Sequence, residues 1–244
     1  MIDGRGALAL RPLGRAWGLL FTTACLGFEP QTGVDAASFA RRAHRTARTL
    51  LGLQGVEVTC EGPLPEAPAI LVTNHVSYLD PLVVSSIAPC IAIAKGETAG
   101  WPLFGRGLRS LGVVFVRRGD PYSGALALLH AYRALHDGAS VLNFPEGTTS
   151  DGRSVGPFHR GVFGLARLAG VAVVPAHLSY DSDRVPWFGG QTLAPHYLRM
   201  ARVAKVRARV RFADAIRPDE SERPHATAAR ARDIISALAA PPYA

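Results

Sequence analysis

An α/β domain, with a mixed central sheet of about seven strands flanked by helices and a pair of helices ahead of it, is the architecture to which this sequence points. Three observations carry it. A chain of 244 residues with 48% hydrophobic and 19% charged positions can bury a sizeable core in a single domain. From residue 54 onward, short β-rich runs alternate with helical stretches and no linker divides residues 54 to 240, the pattern of layered α/β structure. The 25 Gly and 18 Pro are spread without a G-X-Y period, which excludes collagen-like and low-complexity chains, and no internal repeat appears.

The first 53 residues read as an interfacial helical segment, and 54–244 as the α/β domain. Ala16 to Phe28 are thirteen residues without a charge, bracketed by Arg15 and Glu29, short of the roughly 20 apolar residues that span a bilayer. Arg5, Arg11 and Arg15 precede this run, but no A-x-A cleavage pattern follows, so a cleaved signal peptide is not supported. Asp35 to Leu53 reads as a helix with Phe39, Ala43, Ala47, Leu50 and Leu53 on one side and Arg41, Arg42, Arg45 and Arg48 on the other. An apolar stripe opposed by four cations suits a helix lying among anionic headgroups. It also suits an amphipathic helix packed on its own domain with its arginines in water. Joined to the apolar run, it predicts a membrane-associating helical hairpin.

Strands are expected at Val56–Cys60, Ala69–Thr73, Ile91–Ala94, Val113–Arg117, Ser140–Phe144, Val171–Leu178 and Val206–Phe212. The last alternates Val206, Ala208, Val210 and Phe212 with Arg207, Arg209 and Arg211, as in an edge or one-sided strand. Asp80-Pro81 and Asp120-Pro121 each place a capping residue before a proline, a common way for helices to begin. The second helix runs to about His136 with Leu126, Leu129, Tyr132 and Leu135 toward the core, and ends at Gly138. A third covers about Phe158 to Leu168 and stops at Gly170. An Ala-rich helix from His225 to Leu238 closes the chain before a frayed Pro241-Pro242 tail.

Basic residues outnumber acidic ones, 27 to 19, a formal charge of +8 that favours anionic partners. All but Lys95 and Lys205 are arginine, which reads as composition more than recognition. The basic residues are scattered and no RRM, KH, zinc-finger or helix-turn-helix pattern appears, so nucleic acid is not the expected partner. Cys25, Cys60 and Cys90 form no CxxC pair, which argues against a disulfide framework or a zinc site and fits a reducing compartment. Gly4-x-Gly6-x-x-Ala9 mimics a dinucleotide fingerprint, but no strand precedes it. His130, His136, His159, His177, His196 and His225 lack metal-ligand spacing and read as core or surface residues.

Two constellations carry chemistry. Asn74-His75-Val76-Ser77-Tyr78-Leu79-Asp80 lies between the end of a strand and the start of a helix, where α/β domains place their sites. A tight turn there can bring the Asp80 carboxylate to one ring nitrogen of His75 and leave the other free, so that Asp80 fixes the tautomer while His75 takes a proton from a hydroxyl. The plainer alternative is a helix-capping Asp and an uninvolved His. Phe144-Pro145-Glu146-Gly147-Thr148-Thr149-Ser150 follows another strand, and its small residues and Glu146 offer amides, hydroxyls and an acceptor to a ligand. A polar turn has the same composition.

These motifs resemble those of the glycerolipid acyltransferases of the bacterial 1-acyl-glycerol-3-phosphate (lysophosphatidate) acyltransferase type. NHVSYLD and FPEGTTS match the family's first and third motifs, Gly112-Val113-Val114-Phe115-Val116-Arg117-Arg118 is similar to the second, and Val173-Val174-Pro175-Ala176 to the fourth, all in the family's order. Lys95-Gly96-Glu97, followed by Pro102 and Phe104-Gly105, resembles a stretch the family carries before motif two. The likeness implies transfer of a fatty acyl chain from acyl-CoA or acyl carrier protein to a free hydroxyl of a lysolipid, on the cytoplasmic face of a membrane. His75 would be the general base and Asp80 its orienting partner, with no cofactor and no enzyme nucleophile. It also implies that Asn74, Lys95, Arg117, Arg118, Glu146, Gly147 and Thr148 meet the substrates, an arginine fork being well matched to a phosphate. One departure stands out: the family commonly has Arg where Thr149 stands, and branches acting on lyso-ornithine lipid resemble this chain in having a small residue there. Retention of Arg118 puts lysophosphatidate first among the expected acceptors, with lyso-ornithine lipid second. A non-catalytic lipid binder is disfavoured by the intact His75, Asp80 and Glu146.

Overall fold

The structure is a computed structural model that describes residues 4–26, 33–100, 104–219 and 221–239. Residues 27 and 28 of the apolar run, Pro102, and the Pro241-Pro242 tail lie outside the described residues. In chain order the elements are α1 (Gly4–Leu26), α2 (Ala36–Gln54), β1 (Val56–Glu61), β2 (Ala69–Thr73), α3 (Asp80–Ser85), β3 (Cys90–Lys95), a 3-10 turn (Gly96–Gly100), α4 (Phe104–Ser110), β4 (Val114–Val116), α5 (Pro121–His136), β5 (Ser140–Asn143), α6 (Gly161–Ala169), β6 (Ala172–Tyr180), α7 (Leu193–Met200), β7 (Val206–Phe212) and α8 (Pro224–Leu238). The strands form one sheet in the order β1-β7-β6-β2-β5-β3-β4. All neighbours are parallel except β6 and β7, which pair antiparallel, giving the expected seven-stranded mixed sheet.

Alternation sorts the side chains of β2 into the two layers. Ala69 and Leu71 join the core with Val83 and Val84 of α3 and Met200 of α7, while Ile70 and Val72 join that with Phe163 of α6, Ala131 of α5 and Ile235 of α8. A strand buried on both faces is the mark of a central parallel strand. β7 is one-sided as expected, Val206, Ala208, Val210 and Phe212 being buried, but β1 covers it on its outer side and it is not an edge. In α5 the buried face is Ala127, Ala131, Ala134 and Leu135, whereas Leu126 and Leu129 are exposed. Three alanines at i, i+4 and i+7 let the helix lie close to the sheet and turn the larger leucines outward. Asp120 caps α5 through Ser123 N, while Asp80 lies inside the first turn of α3 and does not cap it.

The N-terminal helices also differ from expectation. The stripe of α2 is directed into the protein: Ala40 joins the core of the α5–α6–α8 layer, Leu51 the opposite one, and Ala47 and Leu50 are buried, with Leu53 alone of the expected stripe exposed. The helix therefore packs into the core through these residues. Arg41, Arg45 and Arg48 are exposed, while Arg42 is half-buried, donates to Ser110 O and lies over the Phe39 ring. The unpartnered apolar face belongs to α1, where Leu13, Trp17, Leu20 and Phe21 are all exposed, Trp17 by 72%. At 100° per residue these four fall within about 100° of arc. No described helix is long and apolar enough to cross a membrane. Arg15 anchors α1 by donating to the carbonyls of Ala201 (2.9 Å), Val203 (2.7 Å) and Ala204 (2.9 Å) beyond α7.

His177 of β6 lies opposite Arg211 of β7 and is 7% exposed. Burial, reinforced by the Arg211 charge, lowers its pKa to about 4 from 6.5. Between those values the unfolded chain takes up a proton that the folded chain refuses, so stability falls as pH drops through that window, by up to about 1.4 kcal/mol per pH unit. His177→Gln is expected to lose less stability than wild type in urea unfolding between about pH 6.5 and pH 4; an equal loss would contradict this.

Candidate active site

The site is built where the parallel strands β2, β5 and β6 end. After Thr73 the chain turns through residues 74–79 into α3, and Asp80 N returns to Ser77 O at 3.1 Å. This tight turn brings the Asp80 carboxylate back over its own loop. Oδ2 accepts from His75 Nδ1 (2.7 Å), Val76 N (2.7 Å) and Ser77 N (2.8 Å), and Oδ1 accepts from the Tyr180 hydroxyl (2.7 Å). Asp80 is 0% exposed. Four donors offset the large penalty of burying a carboxylate. Because a carboxylate only accepts, Nδ1 carries the hydrogen, which leaves Nε2 with its lone pair available. Nε2 has no hydrogen bond among the described residues, and 19% of the His75 side chain is exposed.

The second motif closes over the first. The His75 ring stacks on Phe144 with centroids 4.1 Å apart and planes 22° from parallel. The His75 N–H donates to Glu146 Oε1 (2.9 Å), and its carbonyl accepts from Ser150 N (2.8 Å). Glu146 Oε2 accepts from Gly156 N at 2.9 Å. Gly147 has φ +69°, and a Cβ there would stand 3.1 Å from the His159 ring, so both backbone conformation and space favour glycine. Thr148 is exposed.

Two residues expected at the substrate also bond the main chain. Asn74 is buried, its Nδ2 donating to Leu178 O (2.9 Å) and its Oδ1 accepting from Leu178 N (2.8 Å). The amide thereby ties the end of β2 to β6 beyond their last paired residues. Glu146 accepts from one main-chain amide at each carboxylate oxygen, and so holds His75 and the following loop in place.

The three expected cations are brought to the ends of neighbouring strands. Lys95 closes β3, and Arg117 and Arg118 follow β4, whose Val116 is in register with Lys95. Lys95 Nζ lies 3.3 Å from Glu97, and Arg117 is 3.4 Å from Asp120. Glu97 is held below the ordinary carboxylate range by its own backbone N–H, with Lys95 and Arg118 contributing. A Cβ at Gly96 would come within 2.8 Å of Arg117 Cγ, and one at Gly112 within 2.8 Å of Phe39 Cβ, so the loops before and after β4 are set closely against their neighbours. β4 lies three strand positions from β2, about 14 Å away, a gap that long cationic side chains and an acceptor molecule would share.

A wall of residues after β6, whose role was not legible in the sequence, backs the first motif. Trp187 N donates to Val76 O (2.8 Å), its ring meets Tyr78 edge-on, and the Tyr78 hydroxyl lies 3.2 Å from His196 Nδ1. His196 Nε2 is 3.0 Å from Pro186 O. Burial lowers the His196 pKa and raises that of Tyr78, so a neutral imidazole accepts from the phenol and donates to the carbonyl. Tyr180 was missed because the strand was ended at Leu178. Continuing the alternation Val174, Ala176, Leu178 by one step puts Tyr180 on the same face.

Comparison with known proteins bears on this arrangement. Residues 55–179 match the family described as "Acyltransferase", a stretch that contains both motifs. The chain is 37% identical over 179 residues to a lyso-ornithine lipid O-acyltransferase of Pseudomonas aeruginosa, an alignment covering 70% of this chain and 68% of that one. It is 30% identical over 227 residues to a 1-acyl-sn-glycerol-3-phosphate acyltransferase of Neisseria meningitidis, covering 85% and 86%. The crystal structure of the 1-acyl-sn-glycerophosphate (LPA) acyltransferase PlsC from Thermotoga maritima superimposes with a TM-score of 0.64 at 20% identity, covering 94% of this chain and 93% of that one, which shows a shared fold. The turn that holds His75 and Asp80 thus lies within the stretch that matches the family model, and the chain belongs to the acyltransferase family.

Proposed function

We propose that the protein transfers a fatty acyl chain from a thioester, acyl-CoA or acyl carrier protein, to the hydroxyl of a lysolipid, with His75 as general base. The observation that carries this reading is the His75–Asp80 pair, with Nδ1 tied to a buried carboxylate and Nε2 without a hydrogen bond among the described residues. Nε2 takes the acceptor's hydroxyl proton as that oxygen attacks the thioester carbonyl, and Asp80 stabilises the imidazolium so formed. The tetrahedral intermediate expels the thiolate, which receives the proton from His75. An ester is formed, a thioester is broken, and no acyl-enzyme is needed.

For the acceptor, Thr149 and the lyso-ornithine relatives favour lyso-ornithine lipid over 1-acyl-glycerol-3-phosphate, reversing the order that Arg118 alone suggested. Each head carries an anionic group, a phosphate in 1-acyl-glycerol-3-phosphate and a carboxylate beside an ammonium in lyso-ornithine lipid, to which Lys95, Arg117 and Arg118 offer opposite charge. If the acceptor is 1-acyl-glycerol-3-phosphate, the product is phosphatidic acid.

The reading includes a membrane surface, on the cytoplasmic face. Its support is the exposed Leu13, Trp17, Leu20 and Phe21 face of α1, which lies flat at an interface more readily than it crosses one. The exposed Arg41, Arg45 and Arg48 of α2, which packs against α1, add attraction to anionic headgroups.

Purified protein supplied with acyl-CoA and acyl-carrier-protein donors is expected to acylate lyso-ornithine lipid faster than 1-acyl-glycerol-3-phosphate, and His75→Ala to lower turnover at least a hundredfold, an order set by general-base contributions, with an unchanged circular dichroism spectrum. No acylation of any lysolipid, or full activity in the variant, would overturn the reading. Trp17→Glu combined with Phe21→Glu is expected to weaken binding to phosphatidylglycerol vesicles by roughly a hundredfold, since each large side chain contributes about 1.5–3 kcal/mol on burial. Unaltered vesicle binding would remove α1 from the interface.

A further inference from the structure

We infer that Tyr180 is a positioning residue for the reaction, fixing the plane of the Asp80 carboxylate and through it the orientation of the His75 ring. This inference deepens the acyl-transfer reading and rests on it.

The need for such a residue follows from the geometry of a carboxylate. The last torsion of an aspartate joins an sp³ to an sp² carbon and is broad, so bonds at one oxygen do not define the carboxylate plane. At Asp80, three of the four donors, including His75 Nδ1, converge on Oδ2. Tyr180 supplies the single bond to Oδ1 among the described residues, at 2.7 Å. It is the contact that converts a pivot into a fixed plane, and the ring that hangs from Oδ2 inherits its direction.

The phenol is itself held by regular structure. Tyr180 is the last residue of β6 and pairs with Ala208 of β7, two rungs beyond the Leu178–Val210 partnership. It continues the row of Val174, Ala176 and Leu178, which pack into the core containing Val83 and Leu79. Two residues earlier, Leu178 holds both ends of the Asn74 amide. The final residues of one strand thus grip the first motif at its beginning, through Asn74, and at its end, through Asp80. Burial and the neighbouring Asp80 charge raise the Tyr180 pKa well above its ordinary value, so the hydroxyl remains a donor throughout the working pH range.

Tyr180→Phe keeps the ring in its row and removes only the oxygen. A charge-assisted bond of this kind supports an effect of roughly tenfold or more. The expected result is a fall in kcat of about that size, with the acceptor KM within about twofold. It is accompanied by loss, through exchange with water, of the low-field proton NMR signal of His75 Nδ1–H, identified by its absence in His75→Ala. Tyr78→Phe removes a phenol of the same wall that bonds His196 instead and should leave that signal in place. Wild-type kcat with an intact signal in Tyr180→Phe, or equal loss of the signal in Tyr78→Phe, overturns the role. If wild type acylates no lysolipid yet the signals behave as described, the proposed function fails while the positioning by Tyr180 stands.

Discussion

The site depends on one buried carboxylate. Asp80 has no exposed surface and four donors within 2.8 Å, and each donor belongs to something that must be in place for the bond to form. Two are amides of the turn after β2, one is the ring of His75, and one is a phenol at the end of β6. Removing such a partner exposes the remaining group to the full cost of an unmet bond, which is larger than the net gain of making it. The turn, the histidine and the central strands are therefore mutually dependent. Glu146 repeats the arrangement on the opposite side of His75, spanning His75 N and Gly156 N. With the two carboxylates occupied in this way, the second imidazole nitrogen of His75 has no hydrogen bond among the described residues.

The same economy extends to the N-terminus. Arg15 gathers the carbonyls that α7 leaves open beyond its last turn, where a cation is favoured. Gln54 bonds both Arg15 O and the Tyr197 hydroxyl. Tyr197 neighbours His196, which holds Tyr78 of the first motif. The helix whose apolar face is exposed is thus tied through α7 to the wall behind the catalytic turn, so a membrane surface occupied by α1 would stand at a fixed height relative to His75.

Much of this was legible in the sequence, for identifiable reasons. The strands are legible because alternation and β-branched runs are local signals, whereas the His75–Asp80 pairing is legible through the resemblance of the ordered motifs to a known family, the spacing alone leaving a helix-capping Asp open. What was missed depends on distance or direction. Tyr180 is 100 residues from Asp80, and residue type alone does not bring them together. Asn74 and Glu146 were recognised as polar groups at the right loops, but composition does not tell whether a side chain faces a ligand or its own backbone. In α5 the helical period was right while the assignment of the face was not, because alanines pack closest to the sheet. α4 was hidden by Gly105 and Gly107, which weaken helix propensity but are required where a Cβ would strike Ala99 O and Thr23. Pro195 obscured α7, although it falls in the first turn, where proline is tolerated.

The central claim is that the ionic acceptor at position 80 organises the base at position 75. Asp80→Asn tests it most directly, because it keeps the shape of the side chain while replacing one acceptor oxygen with a donor. Acyl-transfer turnover of the folded variant should fall by about a thousandfold or more, since the imidazole loses both its tautomer and its counter-charge. Turnover within about twofold of wild type, in a protein that unfolds at the wild-type urea midpoint, would contradict the account.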